Sequence, residues 1–317
     1  MNEIPDIVFY RIPGENVVSK MGALQLVEKG ETPSGFTVSN FKGDQVYQLI
    51  EGKQSEFTGL PKIESTTKED YLKAAKNIVE YLKIHQGKAV LSRLKEVQGP
   101  EDVKEYFNAL CEAYPNAFVY TLIGAKIGMW VGATPETLIK EEKNVARTMA
   151  LAGTRKSKGD SAWEEKEFEE HELVADFIAS NLKTSNISDI KRSQRYDTNS
   201  GPVKHLRTDF EFAIAENQVW ELAQKLHPTP AVSGWPVDKA ISLIESNEGH
   251  DRSIYTGIIG VIEESTHLFV NLRCAQIVKN KMYLYVGGGF TKDSDPEAEW
   301  EETENKAATL INVLKNG

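Results

Sequence analysis

Apolar side chains recur three and four positions apart in several parts of the chain, and this spacing predicts amphipathic helices. The first helix follows a capping box over residues 66–69, closes at Gly87, and carries its apolar stripe on Tyr71, Leu72, Ala75, Ile78, Val79 and Leu82. Further helices are predicted over residues 101–113, 161–182, 215–226, 237–246 and 295–314. A mobile, polar stretch is expected at residues 183–203.

Short apolar runs between turn residues predict the strands. They cover residues 7–11, 35–41, 45–50, 88–94, 118–123, 127–131, 136–141, 146–151, 257–263, 268–278 and 281–286. Their short connections imply antiparallel pairing. The predicted fold class is therefore α+β, a single large domain of antiparallel β-sheets flanked by helices, rather than a parallel α/β fold. Residues 1–65 are expected to form an irregular, β-rich segment packed on a core of residues 66–317.

Composition narrows the classes of function. The net charge of -10, with no basic stretch, argues against nucleic-acid binding. No apolar run approaches the length that crosses a bilayer, and the amino terminus has neither the basic nor the apolar region of a signal peptide. Cys111 and Cys274 lie far apart in apolar surroundings, which predicts free thiols in a reducing compartment. We therefore expect a cytoplasmic protein.

The last predicted helix carries the first indication of chemistry. Glu299, Glu302 and Lys306 share one of its stripes, and the stripe continues through apolar Leu310 and Val313. Carboxylates on an inward face are costly unless a cation meets them. A glycine-rich strand end, residues 287–289, precedes this helix and offers bare backbone N–H groups to an anion. Adjacent cation and anion sites suggest an acidic substrate held by Mg²⁺.

A second glutamate fits the same hypothesis. Glu170 falls on the apolar stripe of its helix with Val174, Phe177 and Ile178. It is either a boundary carboxylate in a glutamate-rich helix or a metal ligand that works with Glu302. Mg²⁺ takes few protein carboxylates and keeps positions open for water and substrate oxygens, so two glutamates from two helices would suffice.

Several short motifs occur in a fixed order along the chain. They lie at residues 88–93 (KAVLSR), 132–136 (GATPE), 151–155 (LAGTR), 170–174 (EHELV), 226–231 (LHPTPA), 251–252 (DR), 255–257 (YTG), 271–275 (NLRCA), 287–289 (GGG) and 299–306 (EWEETENK). In these motifs the chain resembles the chorismate-utilising enzymes, which include isochorismate, salicylate, anthranilate and aminodeoxychorismate synthases. The resemblance covers residues 67–314, and the segment before it looks abbreviated relative to many members of the family.

The resemblance implies a role for each matching residue. Lys88 would activate water for attack at C2 of chorismate, and Glu136 would protonate the departing C4 hydroxyl, which requires a pKa raised by burial. Glu170 and Glu302 would be the Mg²⁺ ligands, assisted by Glu299. The enolpyruvyl carboxylate would be held by Arg273, Tyr255, Lys306 and the backbone of Gly287, Gly288 and Gly289. The same pocket would be lined by His227, Gly153 and Thr154.

Two positions choose among the subfamilies. Ammonia-using relatives commonly replace the water-activating lysine by glutamine, whereas this chain keeps Lys88. Aminodeoxychorismate synthases often carry a lysine where this chain has Ala152. The resemblance therefore implies an isochorismate synthase that needs no glutaminase partner and is a monomer or weak homodimer. Salicylate synthase, anthranilate synthase component I and a degenerate chorismate- or Mg²⁺-binding subunit are the alternatives. Menaquinone and siderophore biosynthesis both stay open as the pathway.

Overall fold

The computed structural model describes residues 3–57, 59, 62–156, 162–200 and 203–316. Its helices there are α1 (Lys68–His85), α2 (Val103–Ala113), α3 (Glu165–Thr184), α4 (Glu216–Leu226), α5 (Val237–Asn247) and α6 (Pro296–Asn316). Its strands are β1 (Glu3–Ile4), β2 (Asp6–Arg11), β3 (Val18–Leu26), β4 (Gly35–Ser39), β5 (Val46–Glu51), β6 (Ser55–Glu56), β7 (Lys88–Gln98), β8 (Phe118–Gly124), β9 (Gly128–Thr134), β10 (Thr137–Glu142), β11 (Val145–Lys156), β12 (Lys191–Arg192), β13 (Tyr196–Ser200), β14 (Val203–Ala213), β15 (Gly234–Trp235), β16 (Ile258–Ile262), β17 (Thr266–Val270), β18 (Cys274–Val278) and β19 (Lys281–Phe290).

Most of the strands belong to one large antiparallel sheet, which has two halves. One half runs in the order β15-β7-β19-β18-β9-β8-β2, and the other runs β4-β16-β17-β10-β11-β14, with β12 and β13 on its last strand. Strands β3 and β5 join the two halves. Every pairing among the described strands is antiparallel, which confirms the predicted α+β class.

The two halves of the sheet face each other across an aromatic core. Phe36 from β4, Phe118 from β8 and Phe269 from β17 meet there, and the Phe118 and Phe269 rings stack with centroids 4.7 Å apart. Helices α2 and α6 pack on the outer face of the first half. Helices α3 and α4 pack on the outer face of the second half. The glutamates of α3 and α6 therefore lie on helices that cover opposite sides of the two facing halves of the sheet.

The prediction of one continuous strand over residues 268–278 is wrong, because a turn separates β17 from β18. The buried side chain of Asn271 donates from Nδ2 to the carbonyl of Ile254 and accepts at Oδ1 from the Tyr120 hydroxyl. Arg273 then has φ of +49°, a conformation that ends an extended strand. Apolar periodicity predicts the two flanking runs but contains no signal for this turn.

Two further local predictions need correction. The polar stretch over residues 183–203 is not simply a connection, since it contains β12 and β13, and both pair with β14. These two strands contain few apolar residues, so no alternation of apolar and polar positions marks them as strands in the sequence. At the start of α1 the cap is Thr67, whose hydroxyl accepts from the N–H of Asp70, while the hydroxyl of Thr66 accepts from Leu94 N–H.

Both cysteines are free, as predicted. None of the described helices combines the length and the apolar character needed to cross a bilayer.

Candidate active site

A cavity of about 130 Å³ lies between the inner ends of α3 and α6. Strands β7, β11, β14 and β19 and the turns before β10, β16 and β18 also reach it. Many of the residues singled out in the sequence line it, namely Glu136, Gly153, Glu170, Tyr255, Arg273, Gly287, Gly289, Glu299, Glu302 and Lys306. The cavity is mostly polar and collects both cations and carboxylates.

Lys88 opens β7 and is not among the residues that line this cavity, but it contacts one of them. Its side chain is 3% exposed, and its Nζ forms an ion pair with Oε1 of Glu170. Gly289 makes room for this pair, because a Cβ there would lie 3.0 Å from Lys88 Cε and 3.2 Å from the same Glu170 oxygen. The absence of a side chain at Gly289 thus leaves room for the contact between Lys88 and Glu170.

Glu136 lies in the turn between β9 and β10 and is 4% exposed. Its carbonyl accepts from Val270 N–H at 3.0 Å, and the neighbouring Thr134 hydroxyl donates to Val270 O at 2.5 Å. Burial raises the pKa of Glu136 to about 8, and the nearby charges of Arg273 and Lys88 oppose this shift. The carboxyl group is therefore held neutral near pH 7, as a proton donor must be.

The raised pKa of Glu136 predicts how stability changes with pH. An unfolded glutamate ionises near pH 4.3, whereas native Glu136 keeps its proton up to about pH 8. Between these values the native state binds the extra proton, so raising the pH lowers the free energy of unfolding. We expect wild type to lose stability relative to Glu136→Gln from about pH 5 to about pH 8, and no further above that. Urea unfolding of both proteins across this range measures the difference, and a constant difference would contradict the assignment.

Two glutamates of α6 approach the glycine run from different sides. Lys306 donates from Nζ to Glu302 Oε1 at 2.6 Å and to the Gly287 carbonyl at 2.8 Å. Glu299 instead faces Gly288, where a Cβ would lie 2.9 Å from Glu299 Oε2. The glycines form part of β19 and pair with β7, so they are a continuous strand rather than a free strand end.

The carboxylates around the cavity fit a hard divalent cation. Glu170 and Glu302 both line it. Glu170 forms an ion pair with Lys88, and Glu302 forms one with Lys306. No group of three or more His, Cys, Asp or Glu side chains close enough to share a metal occurs among the described residues. Mg²⁺ needs few protein oxygens, so an all-carboxylate pair at a polar cavity is a suitable donor set.

Arg273 and Tyr255 supply the remaining polar groups on the cavity wall. Arg273 belongs to the unpredicted turn between β17 and β18, and its half-buried side chain lies close to Glu136, Glu302 and Tyr255. The Tyr255 hydroxyl lies 3.1 Å from the position of a Cβ on Gly287. Burial raises the pKa of Tyr255, so it stays a neutral donor. A half-buried cation beside a phenol is suited to bind a carboxylate.

The prediction that His227, Gly153 and Thr154 line the same pocket has a different outcome for each of the three residues. His227 is not among the residues that line this cavity, and its Nε2 bonds to the carbonyl of Phe41 at 2.9 Å. Gly153 does line the cavity, with φ of +70° and 3.3 Å between a Cβ placed there and the Cβ of Glu167. The side chain of Thr154 lies outside the described part of the structure.

Sequence reasoning missed His205, which lies on β14 and lines the cavity. Its Nδ1 is 2.8 Å from the carbonyl of Gly153, and since a carbonyl only accepts, Nδ1 carries the proton. Burial lowers the pKa of His205 to about 3, so the ring is neutral. Glu167, one turn before Glu170 on α3, was missed as well. The only sequence signal was a lone histidine in an alternating segment.

A protein-family model described as chorismate binding enzyme matches residues 36–315 of the chain. The chain therefore belongs to the chorismate-binding enzyme family, as its motifs predicted. It is 30% identical over 287 residues to the isochorismate synthase MenF of Bacillus subtilis (strain 168) and 30% identical over 249 residues to the isochorismate synthase EntC of Escherichia coli (strain K12). These matches cover 84% and 72% of this chain but only 60% and 62% of the two relatives.

Solved structures show the same fold. DhbC from Bacillus anthracis aligns with a TM-score of 0.82 at 24% identity and covers 98% of this chain and 97% of its own. MenF from Escherichia coli gives 0.81 at 21% identity, covering 98% and 89%. Anthranilate synthase component I from Streptococcus pneumoniae gives 0.70 at 15% identity, covering 98% and 90%. The fold is thus shared by branches whose names imply different products, and the site must distinguish them.

Proposed function

We propose that this protein is an isochorismate synthase, which converts chorismate reversibly to isochorismate. The observation that carries the proposal is a buried lysine, Lys88, and a buried and neutral carboxyl, Glu136, at one polar cavity. Glu136 lines this cavity, and Lys88 contacts Glu170, which also lines it. The reaction adds water at C2 of the substrate ring and expels the hydroxyl at C4, so it needs one group to take a proton and another to give one. The similarity to MenF and EntC supports the same reaction.

The proposed roles follow from the charge of each group. Lys88 takes the proton from the attacking water once its ammonium has released a proton, and Glu136 donates its own proton to the C4 oxygen as the C–O bond breaks. In the reverse direction the two residues exchange these roles. Arg273 and Lys306 bind the enolpyruvyl carboxylate, and the Tyr255 hydroxyl donates to the same anion. The half-buried guanidinium lines the cavity and orients this anion.

A bound Mg²⁺ would neutralise the ring carboxylate of the substrate and fix its position. Glu170 and Glu302 are the residues proposed to hold it, with Glu299 beside them. To hold the metal, Glu170 would give up its ion pair with Lys88, and Glu302 would give up its ion pair with Lys306. Both lysines are thereby left to face the substrate.

Product analysis tests the proposed reaction. We expect purified protein with chorismate and Mg²⁺, in the absence of ammonium, to approach a mixture of chorismate and isochorismate on chromatography. A chelator should abolish the conversion, and added Mg²⁺ should restore it. Salicylate with pyruvate would identify a salicylate synthase instead. Conversion only after ammonium is added would place the protein in the aminating branch and contradict the role of Lys88.

The proposed activity needs no glutaminase subunit, because water rather than ammonia is the nucleophile. We propose a cytoplasmic enzyme that acts as a monomer or weak homodimer. We keep menaquinone and siderophore biosynthesis as two alternative pathways, and the similar structures include one named as menaquinone-specific and one named as specific for 2,3-dihydroxybenzoate.

A further inference from the structure

A second cavity, of about 410 Å³, adjoins the active-site cavity. The two share Pro135, Leu151 and His205 as a common wall. The floor of the second cavity is one face of the sheet formed by β13, β14, β11, β10 and β17, and its roof is the turn after α2 over residues 113–117. We call this space the antechamber.

Strand register places basic side chains on the antechamber floor. Arg207 of β14 lies opposite Leu151 of β11, and Lys140 of β10 lies opposite His267 of β17. A bulge between Thr137 and Ile139 changes the alternation of β10, and Thr137 and Lys140 both line the antechamber as a result. Without this bulge, Lys140 would belong to the opposite face of the sheet.

The lining has one sign of charge. Lys140 and Arg207 are its charged members, and no carboxylate occurs among the described residues that line it. Their partners, Glu142 for Lys140 at 3.0 Å and Asp209 for Arg207 at 2.7 Å, lie outside the lining. The cationic member of each ion pair thus lines the antechamber, and its carboxylate partner, two residues along the same strand, does not. The feature is unexpected in a chain whose net charge is -10.

We propose that the antechamber is an anion-binding site through which a small dicarboxylate enters the active site. The identity of that dicarboxylate as the substrate rests on the proposed function. Lys140 and Arg207 bind and orient the anion, and His205 lines both this cavity and the active-site cavity that Arg273 lines. A cationic entrance raises the local concentration of an anion that the acidic surface otherwise repels, and its effect is screened by salt.

A binding measurement tests the antechamber without using turnover. Met149 lines it, and the chain has only five methionines, so methyl-¹³C methionine labelling gives a spectrum in which the Met149 signal can be assigned by mutation. Isophthalate, which carries two carboxylates on a planar ring, is the probe. We expect it to shift the Met149 methyl signal, and its Kd to rise at least about tenfold in Lys140→Gln/Arg207→Gln.

The matched control is Lys191→Gln/Arg192→Gln, which removes the same two residue types from β12, outside the antechamber. Its Lys191 also pairs with a glutamate, Glu211, at 2.9 Å. The control should bind isophthalate as wild type does. An unmoved Met149 signal in wild type, or equal weakening in both double variants, would overturn the proposal.

Kinetics separate this proposal from the proposed function. In Lys140→Gln/Arg207→Gln, kcat/KM for chorismate should fall about tenfold at low salt with kcat nearly unchanged, and the deficit should shrink as salt is added. A wild type that binds isophthalate at Met149 but does not convert chorismate would refute the function and leave the anion site standing. An active enzyme whose two double variants have the same kcat/KM would refute the antechamber as an entrance.

Discussion

Glu136→Gln is expected to lower kcat by a factor of about 10²–10⁴ while the protein stays folded. The amide has nearly the shape of the neutral carboxyl that burial maintains at this position, so packing is preserved. It cannot release a proton to the C4 oxygen, so the leaving hydroxyl would depart as hydroxide. Initial rates of isochorismate formation at saturating chorismate measure the effect.

Glu141→Gln is the matched control for this substitution. Glu141 is also a buried glutamate of the same sheet, 3% exposed, but it accepts from Asn144 N–H at 2.7 Å and does not line the active-site cavity. Its variant should keep kcat close to wild type even if its stability falls. A Glu136→Gln enzyme with a kcat within about threefold of wild type would rule out Glu136 as the general acid.

Lys88→Met is expected to lower kcat by a similar factor of about 10²–10⁴, because it removes the base that we propose to activate water. Methionine occupies much the same space at this buried position, so the loss would not reflect a cavity. The substitution also removes the ammonium that pairs with Glu170. Mg²⁺ binding, measured by calorimetry without substrate, should therefore persist or tighten while turnover is lost.

Lys95→Met provides the comparison for this lysine. Lys95 lies on the same strand, β7, and also pairs with a glutamate, but this partner, Glu304, does not line the cavity, whereas the partner of Lys88 does. Its variant should retain turnover. If Lys88→Met were to lose Mg²⁺ binding together with activity, Lys88 would be a structural support of the metal site rather than the base.

The parts of the site that could be predicted from the sequence are those carried by short contiguous motifs. Glu170 on its apolar stripe and Glu302 on the last helix have a local geometry fixed by helical periodicity, and both line the cavity. Lys88 and Glu136 do not lie in a helical apolar pattern that would predict their position. Each reads as an ordinary surface or turn residue until the ordered motifs identify the family, and only then does its burial make sense.

His205 and Arg273 show why the remainder could not be predicted. His205 reaches the cavity because β14 pairs with β11 in a register that places it beside Gly153, and this pairing joins segments separated by about fifty residues. Arg273 reaches it because Asn271 interrupts a run that apolar spacing reads as one strand. The cationic lining of the antechamber depends in the same way on a bulge in β10.

The α+β class, most helices, the family and the positions of Glu170 and Glu302 could be predicted from the sequence, because they follow from local periodicity and from motifs of adjacent residues. The neutral state of Glu136, the contact of Lys88 with Glu170, and the presence of His205 rather than His227 in the cavity lining follow only from the folded structure. Burial, pKa and strand register are properties of residues far apart in the chain, and they exist only once the two halves of the sheet have packed together.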